Sequence, residues 1–168
     1  NGSAMRVSPC GYISNLDDAL KHAEASASCS HNHPEGVRGA VVVAHAIWLL
    51  HHGASKADIQ KLAEEDYGYE VRGISVSKLQ KTNRFDETCP GTIPPAFCCF
   101  LESSSFEDAI RKAISIGGDS DTIGAIVGGL AEAHYGVPEA IQQEALTYLP
   151  NEIKMTIKQF ELWRQEKS

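Results

Sequence analysis

The sequence predicts an all-α fold, and three observations support that prediction. Apolar residues in most segments recur at the spacing of a helix face, helix-capping residues precede several of these segments, and no two segments alternate as paired strands do. The 168 residues, of which 42% are hydrophobic, are enough for a single domain, residues 1–168, with a substantial core. We therefore expect a compact bundle of helices.

The first three helices are predicted from caps and apolar faces. Ser14 or Asn15 can cap a helix that begins at residue 16. A second helix, residues 34–52, is apolar over more than one face, which indicates a central position in the bundle. Ser55 and Asp58 have the spacing of a capping box, and we expect the helix that they begin to end near residue 67.

The second half of the chain is predicted to contain one irregular segment and five helices. Residues 69–89 lack helical and strand periodicity, and we interpret them as a solvated connector or as a loop that reaches over the functional site. A helix is expected to open at the Thr-Ile-Pro-Pro run that begins at Thr92, and Ser105 caps the next one. The helix that Ser105 caps spans residues 106–116, and the remaining predicted helices span residues 123–135, 138–148 and 150–163.

Three glycines lie inside the predicted helix of residues 123–135. Gly124, Gly128 and Gly129 would each weaken a helix by up to about 1 kcal/mol relative to alanine. We therefore expect another stretch of backbone to pack closely against this helix.

The charge balance excludes several classes of partner. A net charge of −7 argues against general binding to nucleic acid or to an anionic membrane, which would need clustered Lys and Arg. No apolar run reaches the about 20 residues of a transmembrane helix, and no signal peptide is recognisable, so we expect a cytoplasmic protein. The five cysteines include no Cys-x-x-Cys pair, so the sequence predicts neither a disulfide framework nor a zinc site.

The hexapeptide Gly-Gly-Asp-Ser-Asp-Thr contains the densest group of candidate functional residues. Gly117 and Gly118 permit a tight turn, and Asp119, Asp121 and Thr122 then bring two carboxylates and a hydroxyl within four residues. Oxygen ligands of this kind suit Mg²⁺, Mn²⁺ or Ca²⁺. The alternative is a helix cap, because the same residue types satisfy the free N–H groups at the start of a helix.

The first six residues, Asn-Gly-Ser-Ala-Met-Arg, form a second candidate segment. Backbone N–H groups of such a loop can surround a phosphate, with Arg6 as a charge partner. Alternatively, Met5 and Val7 belong to the core and Arg6 forms a structural ion pair.

His31 and His33 form a His-x-His pair that invites a metal interpretation. No third nitrogen or sulfur ligand is near in sequence, so we do not expect zinc. His33 and Glu35 can instead cap the helix that begins at residue 34.

Taken together, these motifs resemble the ADP-ribosylglycohydrolase family, the relatives of dinitrogenase reductase-activating glycohydrolase. The hexapeptide, the Ile-Gly-Ala-Ile-Val-Gly-Gly run after it and the Ala-His-Tyr-Gly of residues 133–136 are similar to one family segment. Residues 1–7 resemble the family's glycine-rich substrate loop, and Ser30-His31 with Gly36 and Gly39-Ala40 resembles the pair that opens a family helix. The resemblance implies a compact orthogonal multi-helix bundle of which this chain is the C-terminal part.

The resemblance also implies a reaction and a set of site residues. The reaction is hydrolysis of an N- or O-glycosidic bond at the anomeric carbon of ADP-ribose, assisted by two divalent cations, Mg²⁺ or Mn²⁺. Asp119 and Asp121 would be catalytic and, with Thr122, would bind metal. The expected substrate is an ADP-ribosylated protein or small molecule, with Glu35 as a further substrate-side acid. Residues matching the family's substrate contacts are Asn1, Gly2, Ser3, His31, Gly117 and Gly118.

The family's other metal ligands, a Thr-Asp-Asp run and an upstream acidic residue, have no counterpart in this sequence. We therefore expect this chain alone to bind metal poorly and a separate N-terminal fragment to complete the site. The alternative function is a noncatalytic ADP-ribose-binding or interaction module derived from the enzyme.

Overall fold

The computed structural model describes residues 1–167 and confirms the all-α class, since no strand occurs among those residues. Two short 3₁₀ helices, Ala4–Arg6 and Ser8–Tyr12, precede the first α-helix, and one π-helical turn, Leu62–Asp66, follows the third. The α-helices of the described chain are α1 (Leu16–Ser28), α2 (Pro34–His51), α3 (Lys56–Lys61), α4 (Val76–Thr82), α5 (Cys89–Leu101), α6 (Phe106–Ser115), α7 (Ser120–Tyr135), α8 (Glu139–Thr147) and α9 (Asn151–Lys167).

Helix α2 lies at the centre of the bundle, as its apolar sequence predicted. It contacts α1, α3, α5 and α7, and the two 3₁₀ helices also pack on it. Ile47 of α2, Phe97 of α5 and Ile126 of α7 are fully buried in the shared core. Because the burial of each large apolar side chain stabilises the fold by roughly 1.5–3 kcal/mol, this shared core holds the helices that position the site.

Three predicted caps form as expected. The Asn15 side chain, rather than that of Ser14, accepts a hydrogen bond from the backbone N–H of Asp18 at 3.1 Å. Ser55 and Asp58 form the reciprocal capping box of α3. Ser105 caps α6. The local polar signals in the sequence therefore fixed these three helix starts.

The prediction of an irregular segment over residues 69–89 was wrong in part, because it contains α4. Ser75 caps this helix by accepting a hydrogen bond from the N–H of Lys78 at 3.3 Å. Of its seven residues, only Val76 and Leu79 are buried. Two apolar positions in so short a helix do not produce a recognisable helical period.

Helix α5 begins earlier than predicted. Thr88 accepts a hydrogen bond from the N–H of Gly91 at 3.1 Å, so the helix starts at Cys89 rather than at Thr92. Pro94 and Pro95 lie inside it, although each lacks the N–H that would continue the helical hydrogen bonds. The prolines therefore follow the cap by more than one turn and do not mark the helix start.

Close packing explains only one of the three α7 glycines, and the atoms that approach it belong to side chains and not to another stretch of backbone. A Cβ atom on Gly129 would lie 2.5 Å from Ser8 Oγ and 3.1 Å from Ile47 Cδ1, so close packing requires glycine there. Within the described part of the chain, a Cβ on Gly124 or Gly128 would make only ordinary contacts, at 3.7 and 3.6 Å from isoleucine side chains of α6. The expectation of close packing was wrong at those two positions.

Helix α2, with 18 residues, is the longest helix that the structure describes. Across residues 1–167, no helix combines the length and the apolar character needed to cross a membrane.

We predict opposite stability effects for two glycine-to-alanine substitutions. A Cβ at Gly11 would lie 2.5 Å from Ile47 Cγ2 and 2.9 Å from the Ala44 carbonyl oxygen of α2, so Gly11→Ala should lower the free energy of unfolding by about 1–3 kcal/mol. Gly124→Ala places its methyl group 3.7 Å from Ile114 Cδ1 and should raise stability by up to about 1 kcal/mol. Urea denaturation of both variants measures these changes, and equal effects would contradict the packing described for Gly11.

Candidate functional site

The hexapeptide forms the turn between α6 and α7. Gly117 and Gly118 both have left-handed backbone conformations, with φ of 65° and 74°, which glycine adopts at little cost. Asp119 occupies the N-cap position of α7, yet within the described chain its side chain makes no capping hydrogen bond. Its Oδ2 instead accepts a hydrogen bond from Asn1 Nδ2 at 2.6 Å. The simple cap interpretation therefore does not describe what the Asp119 carboxylate does.

Asp121 places a second carboxylate beside the first in the opening turn of α7. Its Oδ1 accepts a hydrogen bond from the backbone N–H of Thr122 at 2.9 Å. The side chains of Asp119 and Asp121 lie within hydrogen-bonding reach of each other, and this contact is the main cause that lowers the pKa of Asp121. Two such acids at a helix N-terminus form a site of concentrated negative charge that favours a cation.

Thr122 lies at the contact between α7 and the N-terminal loop. Its side chain is buried, and its Oγ1 donates to Met5 Sδ at 3.5 Å, a weak acceptor. Met5 itself is 43% exposed, so its assignment to the core was wrong, whereas Val7 is fully buried as that interpretation expected. The Thr122 hydroxyl has a weak protein partner that an oxygen ligand could replace.

Asn1 joins three segments of the site. Its side-chain Nδ2 donates to Asp119 Oδ2, to Thr92 Oγ1 at 2.9 Å and, at 3.4 Å, to the carbonyl oxygen of Asp86. The N-terminal loop, the start of α5 and the start of α7 therefore meet at one amide group. Asn1 is placed to orient the Asp119 carboxylate.

Ser3 and Gly2 connect the N-terminal loop to the start of α2. Ser3 is fully buried and its hydroxyl donates to the carbonyl oxygen of Gly36 at 2.7 Å. A Cβ on Gly2 would lie 2.7 Å from His31 Nε2, so the imidazole packs directly on the backbone of this loop. The loop lies between α2 and the hexapeptide and brings His31 to the same site.

A pocket of about 330 Å³ opens beside Asn1 and His31. Its walls combine the N-terminal loop, the turn before α2 and the first turn of α5. The lining residues are Asn1, His31, His33, Glu35, Gly36, Thr88, Cys89 and Pro90.

The capping interpretation is confirmed for His33. His33 Nδ1 accepts a hydrogen bond from the N–H of Glu35 at 3.2 Å at the start of α2. Glu35 pairs with Arg38 at 2.6 Å while lining the pocket. His33 is therefore a structural residue at the pocket wall.

Arg6 binds neutral oxygen atoms. Its Nη2 donates to the carbonyl oxygen of Ser26 at 2.6 Å and to Ser30 Oγ at 2.5 Å. The predicted structural ion pair is therefore not formed within the described chain, and Arg6 attaches the N-terminal loop to the end of α1.

Sequence reasoning did not identify three polar residues that hold the site. Asn83 Nδ2 donates to the carbonyl oxygen of Gly117 at 3.0 Å, and Asp86 and Thr92 meet Asn1. Hydrogen bonds from Thr88 lower the pKa of Asp86 and fix its carboxylate. The available signal for Asn83 and Asp86 was the mostly polar run of residues 82–88, which shows no periodicity and is therefore hard to distinguish from a solvated loop.

The donor set for a metal is incomplete in this chain. Among residues 1–167, no group of three or more His, Cys, Asp and Glu side chains is arranged to hold a metal ion. Asp119, Asp121 and Thr122 offer two carboxylates and one hydroxyl, which suits one side of a hard-cation site that needs about six oxygen ligands.

These features define an all-α protein whose oxygen-rich site lies between a glycine turn, a small-residue loop and a histidine-lined pocket. The profile of the ADP-ribosylglycohydrolase family matches residues 1–166. The chain belongs to the ADP-ribosylglycohydrolase family.

Several relatives and one solved structure show the same similarity. An uncharacterized protein of Archaeoglobus fulgidus is 30% identical over 165 residues, covering 82% of this chain and 50% of the relative. ADP-ribosylhydrolase ARH3 of Homo sapiens is 28% identical, covering 91% of this chain and 55% of the relative. ADP-ribosylarginine hydrolase Tri1 of Pseudomonas putida is 26% identical, covering 86% and 42%.

The solved structure of an ADP-ribosylglycohydrolase-related protein complex superposes with a TM-score of 0.67 at 26% identity, covering 83% of this chain and 52% of that chain. This agreement confirms the fold expected from the resemblance. The chain spans about half the length of the relatives that it matches.

We predict that Gly118→Ala disturbs the site more than a matched change elsewhere. A Cβ at Gly118 would lie 2.7 Å from Asn83 Nδ2 and 2.9 Å from the Arg84 carbonyl oxygen. Gly136 has the same φ of 74°, but among the described residues nothing lies within 4 Å of its Cβ position. Gly136→Ala should therefore cost only the strain of its backbone conformation (φ 74°, ψ 162°), roughly 1–3 kcal/mol, and Gly118→Ala should cost more because it adds these close contacts.

Thermal or urea denaturation compares the two variants, and amide NMR reports the Asn83 side chain. Equal destabilisation with unchanged Asn83 signals would contradict the contact between the glycine turn and Asn83.

Proposed function

We propose that this chain is the C-terminal part of a hydrolase that cleaves the glycosidic bond between ADP-ribose and an acceptor. The observation that carries the proposal is the paired carboxyl groups of Asp119 and Asp121, which Asn1 links to the N-terminal loop. The family membership and the names of the human and Pseudomonas putida relatives support the reaction class.

We propose that the ADP-ribose lies between the N-terminal loop and the pocket beside His31. The hydroxyl of Ser3 is bonded to Gly36, so Ser3 would act through its backbone. Gly2 allows the imidazole of His31 to approach the loop, and a side chain there would collide with it. Asn1 and the glycine turn, Gly117-Gly118, would then face the part of the substrate nearest the two carboxylates.

Asp119, Asp121 and Thr122 would hold one side of a divalent cation, Mg²⁺ or Mn²⁺. Further acidic ligands and a second ion are needed to match the two-cation site expected for the family, and we propose that a polypeptide segment outside residues 1–168 provides those ligands. A bound cation of this kind supplies a Lewis acid for oxygen atoms of the substrate and of water.

The residues of this chain favour cleavage by their charge and position. Glycosidic cleavage develops positive charge on the sugar ring, which nearby carboxylates stabilise. Asn1 holds the Asp119 carboxylate through its amide, which reduces the reorientation needed as charge develops. ADP-ribosylated arginine is one acceptor class within this proposal, and it is named in the relative from Pseudomonas putida.

A noncatalytic ADP-ribose-binding module is the second candidate. The incomplete metal donor set among residues 1–167 favours it for the chain acting alone. Such a module would bind ADP-ribose through the loop and the pocket without a divalent cation.

We predict that Asp121→Asn lowers the affinity of this chain for Mn²⁺ by at least about tenfold, because it removes one of its two carboxylate ligands. Asp17→Asn is the matched control, since Asp17 is also an exposed acid in the first turn of a helix, α1. Electron paramagnetic resonance of free Mn²⁺ measures both affinities. An equal loss of Mn²⁺ affinity in the two variants would contradict the assignment of Asp121 as a metal ligand.

Calorimetry with ADP-ribose, and chromatography of released ADP-ribose from an ADP-ribosylated arginine peptide, separate the two functions. Release that requires Mg²⁺ or Mn²⁺ supports the hydrolase. Binding that persists in a chelator, without release, supports the module. Neither binding nor release by the protein that includes the segment with the further acidic ligands would contradict both.

A further inference from the structure

We propose that Arg6 is a positioning residue for His31. Through the hydroxyl of Ser30, Arg6 holds the imidazole in the tautomer whose Nε2 has the proton and lies against the N-terminal loop at Gly2. This inference rests on the proposed function, in which His31 contacts the ADP-ribose, and it assigns a role to an arginine outside the carboxylate cluster.

The first step is the contact between Arg6 and the end of α1. Arg6 Nη2 donates to Ser30 Oγ at 2.5 Å and to the carbonyl oxygen of Ser26 at 2.6 Å, with Cys29 Sγ at 3.8 Å. A guanidinium group has only donors, so Ser30 Oγ is the acceptor in this bond. The position of the Ser30 oxygen is therefore set by a charged group that is itself fixed to the backbone of α1.

The second step is the contact between Ser30 and His31. Ser30 Oγ lies 2.8 Å from His31 Nδ1. The hydroxyl has a single proton, and within the described part of the chain Nδ1 is the acceptor placed to receive it. Because the arginine charge polarises the hydroxyl, Ser30 becomes a stronger donor. In a neutral imidazole that accepts at Nδ1, the proton is on Nε2.

The third step is the position of Nε2. It lies 2.7 Å from the point where a Cβ on Gly2 would stand, directly over the N-terminal loop, and His31 lines the same pocket as Asn1. A protonated Nε2 in this position would donate to an oxygen atom of a ligand bound between the N-terminal loop and the pocket, such as a phosphate or ribose oxygen. The tautomer set by Arg6 and Ser30 therefore decides whether His31 offers a donor or an acceptor to the substrate.

Nitrogen NMR of the ¹⁵N-labelled chain tests the tautomer without any ligand. Spectra are recorded at about pH 8, where neutral imidazole predominates, and His31→Gln assigns the signals of this ring. We expect one unprotonated nitrogen, Nδ1, and one protonated nitrogen, Nε2, in the wild type. Arg6→Ala and Ser30→Ala should move both signals toward the averaged values of an imidazole that exchanges tautomers.

Two variants serve as controls. Ser30→Thr keeps a hydroxyl at the same position and should keep the wild-type nitrogen signals. Arg111→Ala removes an equal charge from the exposed face of α6, where Arg111 pairs with Glu107, and should leave His31 unchanged. Because Ser30 is exposed and its hydroxyl does not contact the core, Ser30→Ala tests the inference even if Arg6→Ala weakens folding.

Calorimetry with ADP-ribose tests the consequence for binding. Loss of one oriented hydrogen bond should weaken ADP-ribose binding by about two- to tenfold in Arg6→Ala and Ser30→Ala, with Ser30→Thr close to the wild type. Wild-type nitrogen signals in both alanine variants would overturn the inference, and so would a changed tautomer with unchanged affinity. Absence of ADP-ribose binding by the wild type would instead overturn the proposed function, whatever the nitrogen signals show.

Discussion

The burial of α2 is the constraint on which the rest of this structure depends. Its apolar residues leave it stable only when other elements cover it on several sides, and α1, α5, α7 and the N-terminal 3₁₀ helices do so. The groups of the candidate site lie at the ends of those elements or in the loops directly beside them. Covering α2 therefore brings together segments that are up to about 120 residues apart in sequence, as the bond between Asn1 and Asp119 shows.

The site itself is held by polar contacts between short segments on the outside of that core. Asn1 bonds to Thr92 and Asp119, Ser3 bonds to the start of α2, and Asn83 bonds to the glycine turn. Each contact connects two different elements, so the geometry of the two carboxylates depends on the packing of the whole bundle. This arrangement explains how a half-buried Asp119 and an exposed Asp121 can keep a defined orientation at the surface.

The incomplete ligand set at the carboxylate pair is consistent with the length of this chain, which is about half that of its relatives. Two neighbouring acids at a helix N-terminus provide a site for positive charge, yet two carboxylates and a hydroxyl cannot surround a hard cation. The relatives that this chain matches are about twice as long as the matched region. A ligand set shared between this chain and a further segment would reconcile the strong local charge with the incomplete donor set. Arg6, Ser30 and His31 form a separate contact series between the N-terminal loop and the end of α1.

The all-α class, the central place of α2, the caps at Ser55 and Ser105, a cap at Ser14 or Asn15, and the family could all be predicted from the sequence alone. Each of these features depends on residues that are close together in the sequence: local periodicity, side chains that bond within one helical turn, and contiguous motifs. The sequence did not reveal the role of the segment around Asn83 and Asp86. That segment contacts Gly117 and Asn1, which are distant in the chain, and no local sequence pattern indicates such contacts. Only the tertiary structure decided that Asp119 bonds to Asn1 rather than capping α7, and that Arg6 reaches Ser30. These hydrogen-bond partners are brought together by the packing of the helices around α2. The sequence around a polar loop residue therefore does not indicate which distant atom will form its hydrogen bond.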